Sequence, residues 1–160
     1  MSPSTIDVTV EIPYGSNLKY EIDDNGDLRL DRVLSCSMIY PGNYGFIADT
    51  LAEDGDPLDV LIIAPYILQP GCKVKCRVVG ALVMSDEKGL DEKILAVPVG
   101  EVDPHYNDCN DIDDISKPYL KKIKHFFENY KKTDVDKWSE VKDFLNKEQS
   151  EELVAKYSNK

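Results

Sequence analysis

Asp54, Asp56 and Asp59 lie within the hexapeptide Asp54-Gly55-Asp56-Pro57-Leu58-Asp59, directly ahead of the apolar run Val60-Leu61-Ile62-Ile63. Carboxylates held this close repel one another and raise each other's pKa values, so gathering them at a strand mouth is costly without a cation between them. An all-oxygen group with no neighbouring His or Cys suits Mg²⁺ or Mn²⁺ better than zinc, and Mg²⁺ bound by few carboxylates keeps waters that phosphate oxygens can displace. The segment reads either as a metal and phosphate site or as a solvated acidic turn made of ordinary turn formers. An EF-hand is excluded: Asp59 stands where the loop needs Gly, Pro57 interrupts it, and a strand follows where a helix is required.

A metal site needs further oxygens, and Asp86-Glu87-Lys88-Gly89-Leu90-Asp91-Glu92-Lys93 offers them, with Asp86 and Asp91 flanking a glycine turn. Taken alone, that segment is a charged hairpin tip. Tyr40-Pro41-Gly42-Asn43-Tyr44-Gly45 adds two phenols on a turn-rich loop soon after Arg32, where packing is the simpler role. His105 in an acidic loop and His125 in a helical stretch are isolated, so both read as structural or solvent-facing.

The elements that must position these groups are mostly strands. Asp7 to Ile12 and Lys19 to Ile22 alternate at period two, which places Lys19 and Glu21 on one face. A turn at Asn25-Gly26 returns the chain through Leu28-Arg29-Leu30. Further strands are predicted at Val60 to Ile63, Lys73 to Val79, Ala81 to Met84 and Lys93 to Val97, and closely spaced antiparallel strands favour a small closed barrel over a parallel sheet. After Pro118 the spacing of Leu120, Ile123, Phe127 and Tyr130 is helical, and a second helix is predicted over Ser150 to Tyr157.

The 160 residues fit one domain with a real core, since 42% are apolar. Thirty acidic against nineteen basic residues give a formal charge of −11, which repels nucleic acid and anionic membranes. An anionic ligand must therefore meet a local reversal of charge from metal ions and a few Lys and Arg side chains. The start Met1-Ser2-Pro3-Ser4-Thr5 has no basic region and leads into no long apolar run, so neither a signal peptide nor a membrane span is expected and a cytoplasmic location is. Cys36, Cys72, Cys76 and Cys109 are too scattered for a disulfide framework and are expected to be reduced, partly buried thiols.

The assembled segments resemble the soluble family I inorganic pyrophosphatases of compact, prokaryote-like length. The likeness runs from Val10 to Trp138 and includes the acidic hexapeptide with Val60, Glu11-Ile12-Pro13, Lys19-Tyr20-Glu21, Asp31-Arg32, Tyr40-Pro41, Asn43-Tyr44-Gly45, Leu68-Gln69-Pro70-Gly71 and His125-Phe126-Phe127. The resemblance implies a mainly β chain with flanking helices (α+β) around a five-stranded, OB-like closed barrel, one domain over residues 1–160. It implies Mg²⁺-dependent hydrolysis of pyrophosphate to two orthophosphates by direct attack of metal-activated water or hydroxide, with several Mg²⁺ per site and Mn²⁺ able to substitute.

Carried over residue by residue, Asp54, Asp59 and Asp91 hold the tighter metal, with Asp59 bridging to a second. Asp86 and Asp91 take an ion arriving with substrate, and Glu11 helps hold another, with Glu21 in the same cavity among the candidate metal oxygens. Lys19, Arg32, Lys93, Tyr130 and Lys131 contact the two phosphates, Tyr44 lines the cavity, and Asp56 orients and deprotonates the attacking water. Kinship also implies a homo-oligomer, a hexamer. The pair Phe126-Phe127 gives the helix from Pro118 to Tyr130 more apolar surface than one buried face needs, which puts it at a subunit contact. A nucleotide pyrophosphohydrolase would need a base-stacking pocket and a helix-borne acidic pattern, neither of which the chain offers. An OB-like nucleic-acid module would need a basic groove.

Overall fold

Alternation of apolar and polar residues carries straight into strands wherever both faces find something to pack against. The computed structural model describes residues 5–158. Its strands are β1 (Thr5–Ile12), β2 (Leu18–Ile22), β3 (Leu28–Val33), β4 (Asn43–Ile47), β5 (Leu58–Ile62), β6 (Lys73–Asp86), β7 (Gly89–Pro98) and β8 (Ser139–Leu145). Two helices, α1 (Lys117–Asn129) and α2 (Lys147–Tyr157), flank β8, and 3₁₀ turns at Pro104–Tyr106 and Ile112–Asp114 lie between β7 and α1. Among the described residues no helix is long and apolar enough to cross a membrane.

The sheet closes on itself. β1 pairs with β4, β4 with β5, β5 with β7, β7 with β6, and β6 back with β1, giving a ring of five strands in an OB-like fold. Alternate residues of these strands, among them Val8, Val10, Val60, Ile62, Val74, Val78, Ile94 and Ala96, form one buried cluster. Their neighbours Leu61, Leu82, Leu95 and Val97 join a second cluster with Ile123, Phe126 and Phe127 of α1. Burial on both faces explains why Val60-Leu61-Ile62 is apolar without a break. β2 and β3 stand apart as a two-stranded hairpin turning through residues 23–27.

The architecture corrects the sequence reading in several places. β5 and β7 run parallel, against the expectation of antiparallel neighbours throughout. Lys73 to Met84 is one strand, not two: β6 passes a register shift between Val78 and Gly80, pairs with β1 before it and with β8 beyond it. Gly80 fits the bend closely: a Cβ there would come within 2.7 Å of the Ile112 side chain and 3.1 Å of the Leu145 carbonyl. The segment read as a loop around Tyr44 is strand β4, and β8 carried no expectation at all.

Both helices are built as their sequences suggest. The Ser116 hydroxyl accepts from the Tyr119 amide to cap α1, with Pro118 in the first turn, and Asn146 and Gln149 form a capping box that starts α2 three residues earlier than predicted. Phe126 and Phe127 are each only 1% exposed within the chain, so the apolar excess assigned to a subunit contact is used internally. Phe126 lies 4.6 Å from the Tyr40 ring and 5.2 Å from Tyr130, and Phe127 packs on Tyr44. The four cysteines are free thiols, Cys76 fully buried and the others partly so.

Candidate active site

The parallel pairing of β5 with β7 sets Asp59 directly beside Lys93, and the hairpin between β6 and β7 brings Asp91 two residues from it. The buried Lys93 Nζ donates to Asp59 Oδ2 and Asp91 Oδ2, each at 2.8 Å, and to the Tyr44 hydroxyl at 2.6 Å. Burial opposes the charge on this ammonium, and Asp59, with Tyr44 and Asp91, overrides it, so Lys93 stays protonated well above its ordinary range. Burial also lifts the carboxyl of Asp91 and the phenols of Tyr44 and Tyr130 above their usual values.

Around this centre the other expected residues arrive from separate elements. Asp54 and Asp56 sit on the turn before β5, where Gly55 adopts φ 87°, a conformation that favours glycine, and the Asp56 amide donates to Asp54 Oδ1 at 3.0 Å. Burial raises Asp54, with Asp91 and Asp56 adding like charge. Glu11, from β1, accepts from the Ile22 amide at 2.9 Å and is pushed up from 4.5 to about 7, mainly by burial, with Asp59 and Glu21 contributing repulsion. Lys19 and Arg32 face each other across the hairpin, and Lys19 binds Asp31 at 3.0 Å, which lowers the Asp31 carboxyl. Glu21 lies two pairs further along, opposite Arg29.

The end of α1 supplies the remaining wall. Lys131 Nζ donates to Asp86 at 2.8 Å and to Glu87 at 3.2 Å. Burial alone would raise Asp86, but the Lys131 contact outweighs it and holds the carboxyl below its ordinary value. Arg32 reaches Asp31 at 3.9 Å and Asp134 at 3.8 Å, both too far for a hydrogen bond, and its Nε is buried with no hydrogen-bond partner. Ser35, just past β3, donates to Asp134 Oδ1 and lies 2.6 Å from the Thr133 hydroxyl, joining the hairpin side to the loop after α1.

Tyr44, Asp59, Asp91 and Lys93 thus form one charged cluster with the Asp86–Lys131 pair beside it, while Asp54, Asp56, Glu11 and Glu21 make no ion pair among the described residues. Among the described residues no three His, Cys, Asp or Glu groups are gathered into a ready coordination shell. Every available donor is oxygen, and Asp54 and Asp91 are carboxylates whose charge burial disfavours, the condition a divalent cation relieves; the donor set therefore fits Mg²⁺ chemistry. Sequence reasoning missed Glu87 and Asp134, acidic residues in charged turns with no pattern to set them apart. His105 stays outside the cluster, its ring 2.6 Å from Asp103. An apolar cleft of about 310 Å³, lined by Tyr14, Ile63, Tyr106, Cys109 and Tyr119 among others, shares no residue with it.

Comparison with known proteins points the same way. A family model for inorganic pyrophosphatase matches residues 8–160. An inorganic pyrophosphatase of Campylobacter jejuni is 47% identical over 96% of this chain and 90% of its own length. That of Nanoarchaeum equitans is 52% identical over 91% of the chain and 90% of its own. The solved structure of the inorganic pyrophosphatase of Helicobacter pylori superposes with a TM-score of 0.95 at 46% identity, covering 98% of this chain and 92% of that one.

Proposed function

The chain belongs to the inorganic pyrophosphatase family, enzymes that hydrolyse pyrophosphate to phosphate, and from that premise we propose that the charged cluster is its active site and works with Mg²⁺, Mn²⁺ being able to substitute. The observation that carries this reading is the alternation of charge. Lys93 lies between Asp59 and Asp91, Lys131 against Asp86 and Glu87, Lys19 against Asp31, while Arg32 keeps a buried donor unused. A site neutralised internally in this way can exchange its pairs: the ammonium and guanidinium groups turn to phosphate oxygens, and the carboxylates they leave accept cations.

In this scheme Asp54, Asp59 and Asp91 would hold the tighter ion, and Asp59 would also serve a second. Asp86 with Asp91 takes one that comes with substrate, and Glu11 and Glu21 supply further oxygens. Bound there, Mg²⁺ supplies neutralisation of phosphate charge and a lowered pKa for water. Asp56, exposed on its turn, orients the attacking water and takes its proton. The water oxygen bonds to one phosphorus as the bridging P–O bond breaks, and Lys19, Arg32, Lys93 and Lys131 hold the charge that grows on the departing phosphate. Burial keeps Tyr44 and Tyr130 protonated, so both serve as hydrogen-bond donors to phosphate or its neighbours.

We further read the chain as one catalytic domain over residues 1–160, acting in the cytoplasm as a homo-oligomer, a hexamer by kinship. The test of the central claim is phosphate release from pyrophosphate, with nucleoside triphosphates as control substrates. Hydrolysis with Mg²⁺ that stops on chelation, and binding of Ca²⁺ without turnover, are expected, because the larger and looser Ca²⁺ shell misplaces the reacting water. Undiminished activity in excess EDTA, or preference for nucleotides, would overturn it.

A further inference from the structure

Four of the groups assigned above to phosphate contact come from two separate walls of the proposed site, the β2–β3 hairpin and the end of α1. Lys19 and Arg32 ride on the β2–β3 hairpin, which pairs with no other strand, while Tyr130 and Lys131 follow the end of α1. Asp134 is where these walls meet. Its amide donates to the Lys131 carbonyl at 2.9 Å, fixing the turn that carries Lys131. One carboxylate oxygen accepts from the Ser35 hydroxyl, two residues beyond β3, and the other lies 3.8 Å from Arg32 Nη1.

The Arg32 distances matter. At 3.8 and 3.9 Å the carboxylates of Asp134 and Asp31 attract the guanidinium without taking its hydrogens, and Nε stays unbonded. The side chain is steered but not satisfied. Its donors remain available for a planar, two-point contact with a phosphate group.

We propose that Asp134 is a positioning residue for pyrophosphate: through Ser35 and Arg32 it clasps the β2–β3 hairpin to the loop bearing Lys131 and so fixes the separation of the two phosphate-binding walls. The inference rests on the pyrophosphatase reading of the site. It differs from the roles given above because Asp134 touches neither phosphate nor metal and acts only through its neighbours. Its loss therefore weakens substrate binding and leaves the reacting groups around Asp56 in place.

The chain's single tryptophan makes the clasp observable without turnover. Trp138 lies four residues past Asp134, about half exposed, with its amide 3.3 Å from Glu87. Steady-state kinetics and Trp138 fluorescence titrations with inorganic phosphate and pyrophosphate, with and without Mg²⁺, are compared for the full-length wild type, Asp134→Ala, Asp134→Asn, Ser35→Ala and the Ser35→Ala/Asp134→Ala double variant. Loss of a partly exposed charge-assisted contact should raise KM for Asp134→Ala by about tenfold, with a smaller fall in kcat from the displaced Arg32 and Lys131. Asp134→Asn keeps an acceptor for Ser35 and should recover part of the loss. The double variant should be no worse than Asp134→Ala alone, since the two residues form one contact.

A KM within about twofold of wild type, a loss confined to kcat, or additive effects of the two alanines would overturn the proposal; the threshold is the usual error of additivity for independent sites. If Asp134→Ala fails to fold, Ser35→Ala alone decides it by the same KM criterion. If the wild type hydrolyses no pyrophosphate, the functional reading fails. The clasp then stands or falls on whether the variants weaken the fluorescence response to phosphate.

Discussion

At the scale of single residues, the proposed function divides between carboxylates that would hold cations and one that would move a proton. Asp59→Asn should weaken Mg²⁺ binding, because the amide keeps the shape but loses the charge and one acceptor. Asp56→Asn should spare metal affinity and lower kcat by ~10²–10³, within the range of general-base assistance. Mg²⁺ titrations of binding and of activity on both variants check this; equal losses of metal affinity would mean the two aspartates are wrongly assigned. Lys93 gives a second test. In Lys93→Met, Asp59 and Asp91 lose the ammonium they share, and breaking a buried pair costs about 3 kcal/mol in metal-free protein. Mg²⁺ should then raise the Tm of the variant more than that of the wild type, and an equal rise would refute the exchange of internal pairs for bound ions. The acidic hexapeptide was legible because three carboxylates in one turn defy mutual repulsion. Asp134 was not, because a lone acid in the loop Thr133-Asp134-Val135-Asp136 looks like any solvated turn until Ser35 and Arg32 are brought to it from ~100 residues away.

At the scale of elements, the sequence is readable where one rule governs a segment and silent where tertiary context does. The period-two pattern located β1 and β2, apolar runs set off by Pro and Gly located β5 and β7, and helical spacing located α1. β4 was hidden because Asn43 and Gly45 signal a turn. Asn43 is in fact buried, with its amide side chain bonded to the Tyr14 amide, the Tyr66 carbonyl and the Leu68 amide, and Gly45 lies against the Thr9 carbonyl where a Cβ would collide. Gly45→Ala should therefore force β1 and β4 apart and cost about 3 kcal/mol or more, read as a fall in Tm, in line with other severe steric insertions. The strand order escaped prediction because parallel or antiparallel pairing of β5 and β7 depends on the long course of β6. A pH-sensitive element lies outside the active site. Asp103 caps the Pro104–Tyr106 turn, accepting from the His105 amide and ring and from the Tyr66 hydroxyl, and these contacts hold its carboxyl below the ordinary 3.8. A carboxyl lowered by folding contributes stability above its unfolded value and loses it as pH falls through the folded one. Amide exchange at His105 should accordingly quicken below pH 3.8, and Asp103→Asn should abolish that dependence; identical profiles would show that the cap is not ionic.

At the scale of the whole molecule, the burial of Phe126 and Phe127 moves any subunit contact away from the inner face of α1. The exposed apolar residues offer another surface, where Ile67 is 72% exposed beside Tyr66, and Tyr66 shares a recess with Pro65 and Val102. If the proposed homo-oligomer forms there, Ile67→Asp should dissociate it at micromolar concentration while each protomer stays folded, as light scattering with circular dichroism would show. An unchanged mass would place the contact elsewhere. The ring also dictates when the molecule becomes itself during synthesis. β7, the strand that completes the circle between β5 and β6, carries both Asp91 and Lys93, so an emerging chain has an open sheet edge and an uncompensated acidic turn until Pro98 has left the ribosome. The ring and the pairing of Lys93 with Asp59 and Asp91 are then completed by the same ten residues. A nascent chain stalled before them has open strand edges and no ammonium for Asp59.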